Sequence, residues 1–209
     1  VSQQEVPAPH VHLMAAVLAV YEMIDQLPLQ PIEHSNPADR HFISALEIQH
    51  RISELSSQIS GDFDGEDLLV IAVLKGAFMF AADLVRRLQQ HGVKVEIDFI
   101  HARSYVSGIE TSSRVEVDMD IAASITDRNV LLLDDIIDSG RTFISLYNHL
   151  KEKSPKSLAT CVLLDKAIHR QEEFRVDYIG FEIPDLFVVG YGLDYNESHR
   201  CLPYISFID

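Results

Sequence analysis

Cysteine is scarce in this chain. Cys161 and Cys201 are the only two in 209 residues and lie in separate segments, so there is no disulfide framework, and a reducing, cytoplasmic setting is favoured. Basic residues are also few: 17 Lys and Arg face 32 Asp and Glu, for a formal charge of −15. That balance opposes nucleic-acid binding, which draws on basic surfaces. No apolar run approaches the roughly 20 residues of a membrane span. Residues 12–24 come nearest, but they are short and include Glu22. No basic residues precede them, so no secretory signal is expected. Internal repeats and low-complexity tracts are lacking as well. The length suits one sizeable core and falls short of two full domains.

What is present is an alternation of strand and helix patterns. Residues 10–27 and 38–60 read as helices separated by Pro28, Pro31 and Pro37. Residues 61–67 form a loop, 68–74 a buried strand and 77–91 a helix stopped by Gly92. A strand follows over 93–102. In the next segment Val115, Val117, Met119 and Ile121 alternate with Glu116, Asp118 and Asp120, the pattern of a half-exposed, antiparallel strand. Residues 129–134 are a further buried strand, and the helix after it runs to about Lys153. Strands over 157–164, 178–183, 186–190 and 204–207 complete the chain. The expected fold class is α/β, a doubly wound, mainly parallel sheet flanked by helices on both faces.

The most informative stretch runs from Val130 to Thr142. Four apolar residues, Val130 to Leu133, lead into Asp134, Asp135 and Asp138 and then into Ser139-Gly140-Arg141-Thr142. The acids should lie at the carboxyl end of a central strand, where open α/β sheets bind ligands. Phe143, Ile144, Leu146, Tyr147 and Leu150 then repeat at helical spacing, so the glycine turn opens a helix. Its first N–H groups, with the hydroxyls of Ser139 and Thr142, suit a phosphate, which Gly140 allows close to the backbone. Ionised carboxylates are acceptors only, and suit sugar hydroxyls, a bound Mg²⁺ or a proton to be removed. Together these features suggest a ribose 5-phosphate. Asp, Ser and Gly also gather at ordinary strand-to-helix turns because they cap helices. A P-loop is excluded, since nothing upstream of Gly140 supplies its first glycine. An aspartyl-phosphate nucleophile at Asp134 or Asp135 stays open, although it leaves the Ser-Gly-Arg-Thr turn unexplained.

The segment 131–142 resembles the phosphoribosyl pyrophosphate signature of type I phosphoribosyltransferases. Leu74-Lys75-Gly76, Asp98-Phe99 with Ser104-Tyr105, Lys166, and the run from Gly180 through Asp185, Phe187-Val188 and Asp194 to Glu197 are similar to the hypoxanthine-guanine branch. The match covers residues 68–209 in order. The resemblance implies a single phosphoribosyltransferase domain over 1–209, in which 1–60 form a helical extension or part of a small hood. It implies purine salvage: transfer of 5-phosphoribosyl from phosphoribosyl pyrophosphate to hypoxanthine or guanine, with IMP or GMP and pyrophosphate as products.

Residue roles follow from the resemblance as expectations. Asp134 and Asp135 hold the ribose hydroxyls and a Mg²⁺, and Asp138 takes the N7 proton. Ser139, Gly140, Arg141 and Thr142 bind the 5-phosphate. Lys75-Gly76, after a cis Leu74–Lys75 bond, binds pyrophosphate with Arg200, and Asp194 holds a second Mg²⁺. Lys166 donates to the purine 6-oxygen, Phe187 stacks on the base and Val188 offers backbone groups to its edge. Taken without the resemblance, Gly76 merely allows a turn, Lys75 and Lys166 are solvated surface, and Phe187 and Val188 are core. Residues 103–114, rich in Ser and Gly, are expected to be a lid beginning at Ser104-Tyr105 that excludes water. Asp134 stands where the family commonly has Glu, and His101 where some members have Arg. A homodimer or homotetramer without nucleic-acid or membrane partners is implied. A fold relative that binds nucleotide and RNA without turnover is the competing class, disfavoured by the acidic charge.

Overall fold

The computed structural model describes residues 41–105, 114–166 and 174–208. The expected helix over 10–27 lies outside them. The segment expected to be helical from 38 instead holds a short strand, β1 (His41–Ile43), before helix α1 (Ala45–Asp62). Ser44 causes this boundary. Its hydroxyl accepts from the Glu47 amide at 3.3 Å while the Glu47 carboxylate accepts from the Ser44 amide at 2.8 Å, a reciprocal cap that starts the helix at that point.

From there the elements alternate: β2 (Asp67–Leu74), α2 (Phe78–Gln90), β3 (Lys94–Tyr105), β4 (Arg114–Met119), β5 (Asn129–Ile137), α3 (Arg141–Lys151), β6 (Ser157–Asp165), β7 (Tyr178–Glu182), β8 (Phe187–Val189) and β9 (Ile205–Ile208). Six strands form one sheet in the order β4-β3-β2-β5-β6-β7, parallel except for β4, which runs antiparallel to β3 as its alternating pattern foretold. The apolar runs of β2 and β5 divide by parity between two cores. Leu68, Val70, Ala72, Leu131 and Leu133 pack with α1 and α2 on one face, and Leu69, Ile71, Val73, Val130 and Leu132 pack with α3 on the other. Continuous hydrophobicity is what burial on both faces requires.

β3 runs three residues past its expected end at Ala102. β3 and β4 pair as far as Tyr105 opposite Arg114, so Arg103, Ser104, Tyr105 and Arg114 are strand residues rather than loop. The rest of the expected lid, 106–113, lies outside the described residues, as do the side chains of Ser104 and Tyr105. A second, antiparallel sheet has the order β1-β9-β8. No described helix is long and apolar enough to cross a membrane.

Strand order also locates the site. The chain leaves β2 toward β3 on one side, and leaves β5 toward β6 and β7 on the other. The connections therefore reverse direction between β2 and β5. Outside the carboxyl ends of those two strands a crevice opens, the usual ligand position in such sheets. Lys75-Gly76 follows β2, Asp134 and Asp135 lie near the end of β5, and Asp138 follows it.

Candidate active site

Three segments meet at that crevice, and two glycines show how closely. A Cβ on Gly76 would lie 1.7 Å from Asp135 Oδ2, and one on Gly192 would lie 1.9 Å from the Gly76 carbonyl oxygen. The β2–α2 turn, the end of β5 and the loop after β8 are thus in mutual contact, and a side chain at either glycine would drive them apart. The bond between Leu74 and Lys75 is cis.

Asp134 is buried and Asp135 half-buried. Asp134 Oδ1 accepts from the Asp135 amide at 2.9 Å, and Asp135 Oδ1 accepts from the Ile136 amide at 2.9 Å. Burial pushes the Asp134 carboxyl well above the ordinary range, and the neighbouring Asp135 charge and hydrogen bond push it further. Burial raises Asp135 as well, against hydrogen bonds from Asp134 and the backbone and the nearby Arg200 charge. Two desolvated acids side by side call for donors or a cation. Among the described residues no group of three or more His, Cys, Asp or Glu could hold a metal. Mg²⁺ commonly takes one or two carboxylates and fills its other positions with water and substrate oxygens, and this pair fits that demand.

Beyond β5, Gly140 has φ 81°, a left-handed conformation that glycine adopts without penalty, and it starts α3 with no side-chain cap. The amides of the first turn thus face the crevice end of the sheet with the helix dipole behind them. Ser139 and Thr142 flank them, both half-buried, and Arg141 is exposed.

On the β2 side the charges form a chain. The Lys75 ammonium is 3.2 Å from Glu197, Glu197 is 3.3 Å from Arg200, and Arg200 is 2.8 Å from Asp194. Asp194 also accepts from the Glu197 amide at 2.8 Å. Both acids hold Arg200 in place, and its Nε is buried without a hydrogen-bond partner. An orphaned guanidinium donor is costly, and an anionic oxygen would satisfy it. Sequence reasoning singled out Lys75, Arg200 and Asp194 but gave no role to Glu197, which bridges them, or to Gly192. A paired Gly190 and Gly192 around Tyr191 was the available signal.

The third part of the site is built on β5, β6 and the small sheet. Lys166 follows β6 and is 7% exposed, so the surface-lysine alternative fails. Its ammonium is 3.5 Å from Asp138 and 3.9 Å from Asp185, both exposed. Asp185 carried no assigned role in the sequence. Phe187 is 52% exposed at the start of β8, so it is not core. Its ring meets Tyr195 edge-on at 5.7 Å. Val188 is buried and pairs with Phe207. His101, beside Leu74 in the sheet, shares Asp118 with Arg103 at 3.1 and 2.7 Å.

The model of the phosphoribosyl transferase domain matches residues 44–196. The chain belongs to the phosphoribosyltransferase family. It is 46% identical over 167 residues to a hypoxanthine phosphoribosyltransferase of Escherichia coli K12, an alignment covering 79% of this chain and 92% of that protein. A hypoxanthine-guanine phosphoribosyltransferase structure from Bacillus anthracis is 45% identical, with 80% of this chain and 95% of the other covered and a TM-score of 0.74. A mutant hypoxanthine phosphoribosyltransferase from Trypanosoma cruzi, solved as a ternary substrates complex, is 38% identical, covering 82% and 96% with a TM-score of 0.78. The chain is thus a phosphoribosyltransferase enzyme, and its sheet, mainly parallel and flanked by helices, is that of the family.

Proposed function

We propose that this phosphoribosyltransferase transfers the 5-phosphoribosyl group of phosphoribosyl pyrophosphate to hypoxanthine or guanine, a purine salvage reaction giving IMP or GMP and pyrophosphate. The observation that carries the base specificity is Lys166, buried with its ammonium 3.5 Å from Asp138. The 6-oxygen and N7 lie side by side on one edge of a 6-oxo purine. An ammonium offers donors only and a carboxylate acceptors only, so the pair suits a base that presents O6 to Lys166 and an N7 proton to Asp138. Adenine would turn a 6-amino donor toward the lysine, and a buried polar group left unpaired discriminates strongly. The exposed Phe187 ring stacks on the base, and Val188 supplies backbone groups to its edge.

The remaining roles follow the crevice. The 5-phosphate takes the start of α3 with Ser139, Gly140, Arg141 and Thr142. Pyrophosphate takes Lys75, the Gly76 amide and Arg200, whose orphaned Nε is a donor for it. Asp134 and Asp135 hold the ribose hydroxyls, and as positive charge develops on the sugar ring their carboxylates stabilise it. Asp138 accepts the N7 proton, a role that typically contributes about 10²–10⁴-fold. Ser104 and Tyr105 belong to the covering strand pair. Mg²⁺, held by Asp134 and Asp135 and on the pyrophosphate side by Asp194, would neutralise phosphate charge. For Asp194 that means exchanging part of its Arg200 contact. A cytoplasmic homodimer or homotetramer is the assembly that goes with this reading.

The test is turnover of hypoxanthine, guanine, xanthine and adenine, each with phosphoribosyl pyrophosphate and Mg²⁺. Nucleotide is expected from the first two and little from adenine. Nucleotide from none of the bases, or from adenine in preference, overturns the assignment.

A further inference from the structure

The turn Gly190-Tyr191-Gly192 carries no group used in the proposed reaction, yet it backs the pyrophosphate side of the crevice. All three residues have positive φ, 98°, 51° and 105°. Glycine adopts such values freely, whereas tyrosine does so at a cost. Something must hold Tyr191 there. Its ring is 3% exposed, and its hydroxyl donates to Asp83 Oδ2 at 2.5 Å. Asp83, on α2, is itself fixed, accepting from Gln49 Nε2 on α1 at 2.8 Å and from Arg86. Gln49 in turn accepts from Arg87 at 3.3 Å. One phenolic hydrogen bond therefore ties the turn to both helices on that face of the sheet.

The opposite side of the turn faces the site. Gly192 packs against the Gly76 carbonyl with no room for a Cβ. The Gly192 amide donates to the Arg200 carbonyl at 2.8 Å, and the Gly192 carbonyl accepts from Arg200 Nη1 at 2.8 Å. Gly76 and Arg200 are thereby referenced to the same turn. We propose that Tyr191, through its hydroxyl bond to Asp83, is a positioning residue that fixes this turn and so aims Arg200 and the Gly76 amide at the pyrophosphate group. The inference rests on the pyrophosphate reading of Lys75, Gly76 and Arg200 given above. A hydrogen bond to a carboxylate is stronger than one between neutral groups, and losing it while the ring stays packed frees the turn without opening a cavity.

The experiment uses the full chain and the variants Tyr191→Phe, Asp83→Ala and Asp83→Asn. Tyr191→Phe should raise KM for phosphoribosyl pyrophosphate about tenfold, the size of one lost charge-assisted hydrogen bond, and leave KM for the purine nearly unchanged. Asp83→Asn, which keeps an acceptor oxygen, should lie nearer the wild type than Asp83→Ala. Amide exchange at Gly192 should quicken in Tyr191→Phe while α2 stays protected. An unchanged KM for phosphoribosyl pyrophosphate overturns the proposal. So does a parallel rise in both KM values with loss of protection throughout α2, which marks a merely structural bond. If the wild type makes nucleotide from no base, the assignment of function fails instead. Exchange at Gly192 then still decides whether the Tyr191–Asp83 bond holds the turn.

Discussion

Asp134 and Asp135 are adjacent on a strand whose side chains should point to opposite faces, yet both carboxyls sit in the crevice, linked through the Asp135 amide. Burial raises the Asp134 carboxyl above its ordinary value, so the fold disfavours its charged form when no ligand is bound. The sign of the consequence is fixed by linkage. Below the ordinary carboxylate pKa the group is neutral in both folded and unfolded chains and costs nothing. The penalty sets in as pH rises above the ordinary carboxylate value and grows up to the raised pKa, so it is larger at neutral pH than near pH 4. Asp134→Asn removes the charge and keeps the shape. In thermal melts without ligands this variant should exceed the wild type near pH 7.5 by roughly 2–4 °C, the response of a domain this size to about 1 kcal/mol. The gap should close toward pH 4, and activity should fall. A variant that melts at or below the wild type at neutral pH would show that the acids are compensated in some other way. Stability given up at a functional site is a familiar exchange.

Single elements matter through their ends, and the loop after β8 shows this most sharply. Gly192→Ala places a methyl 1.9 Å from a backbone oxygen, at a φ of 105° that L side chains rarely adopt. Backbone cannot rotate away as a side chain can, so the β2–α2 turn must move. The expected result is a destabilisation of roughly 1–3 kcal/mol, read from urea unfolding, together with near-complete loss of turnover. Wild-type stability in this variant would mean that the contact is not required. No property of the sequence measures such a contact. Gly192 and Gly76 are 116 positions apart, and only the folded chain brings them together. By contrast β2, β5 and the α3 start were legible, because continuous apolar runs and a glycine before helical periodicity are local signals. β1 was not legible. His41–Ile43 is three residues long and is a strand only because β9, over 160 residues later, supplies its partner. The Ser44–Glu47 cap was present in the sequence, and it would have placed the helix start correctly. Lys166 illustrates the middle case: its position after a strand was legible and its burial was not, since its neighbours Asp138 and Asp185 come from other segments of the chain.

At the scale of the whole molecule, a protein of charge −15 is expected to bind an anion heavier in charge than any of its own residues. Charges farther apart than about 8 Å are largely screened at physiological ionic strength, so on the proposed reading the site would work by local groups: the α3 amides, Lys75, Arg200 and a metal. Without the metal, phosphoribosyl pyrophosphate would confront Asp134, Asp135 and Asp194 directly. With it, one ligand would join the ends of β2 and β5 and the loop carrying Arg200. Binding to the folded state alone at 100 times Kd adds about 2.7 kcal/mol, which for this length corresponds to a rise of roughly 5–10 °C in Tm. Phosphoribosyl pyrophosphate with Mg²⁺ should produce that rise, and the same ligand with EDTA should produce little. An equal rise in EDTA would remove Mg²⁺ from the binding step and leave the protein cations to neutralise the pyrophosphate. Asp194 would then be a partner of Arg200 and no longer a metal ligand.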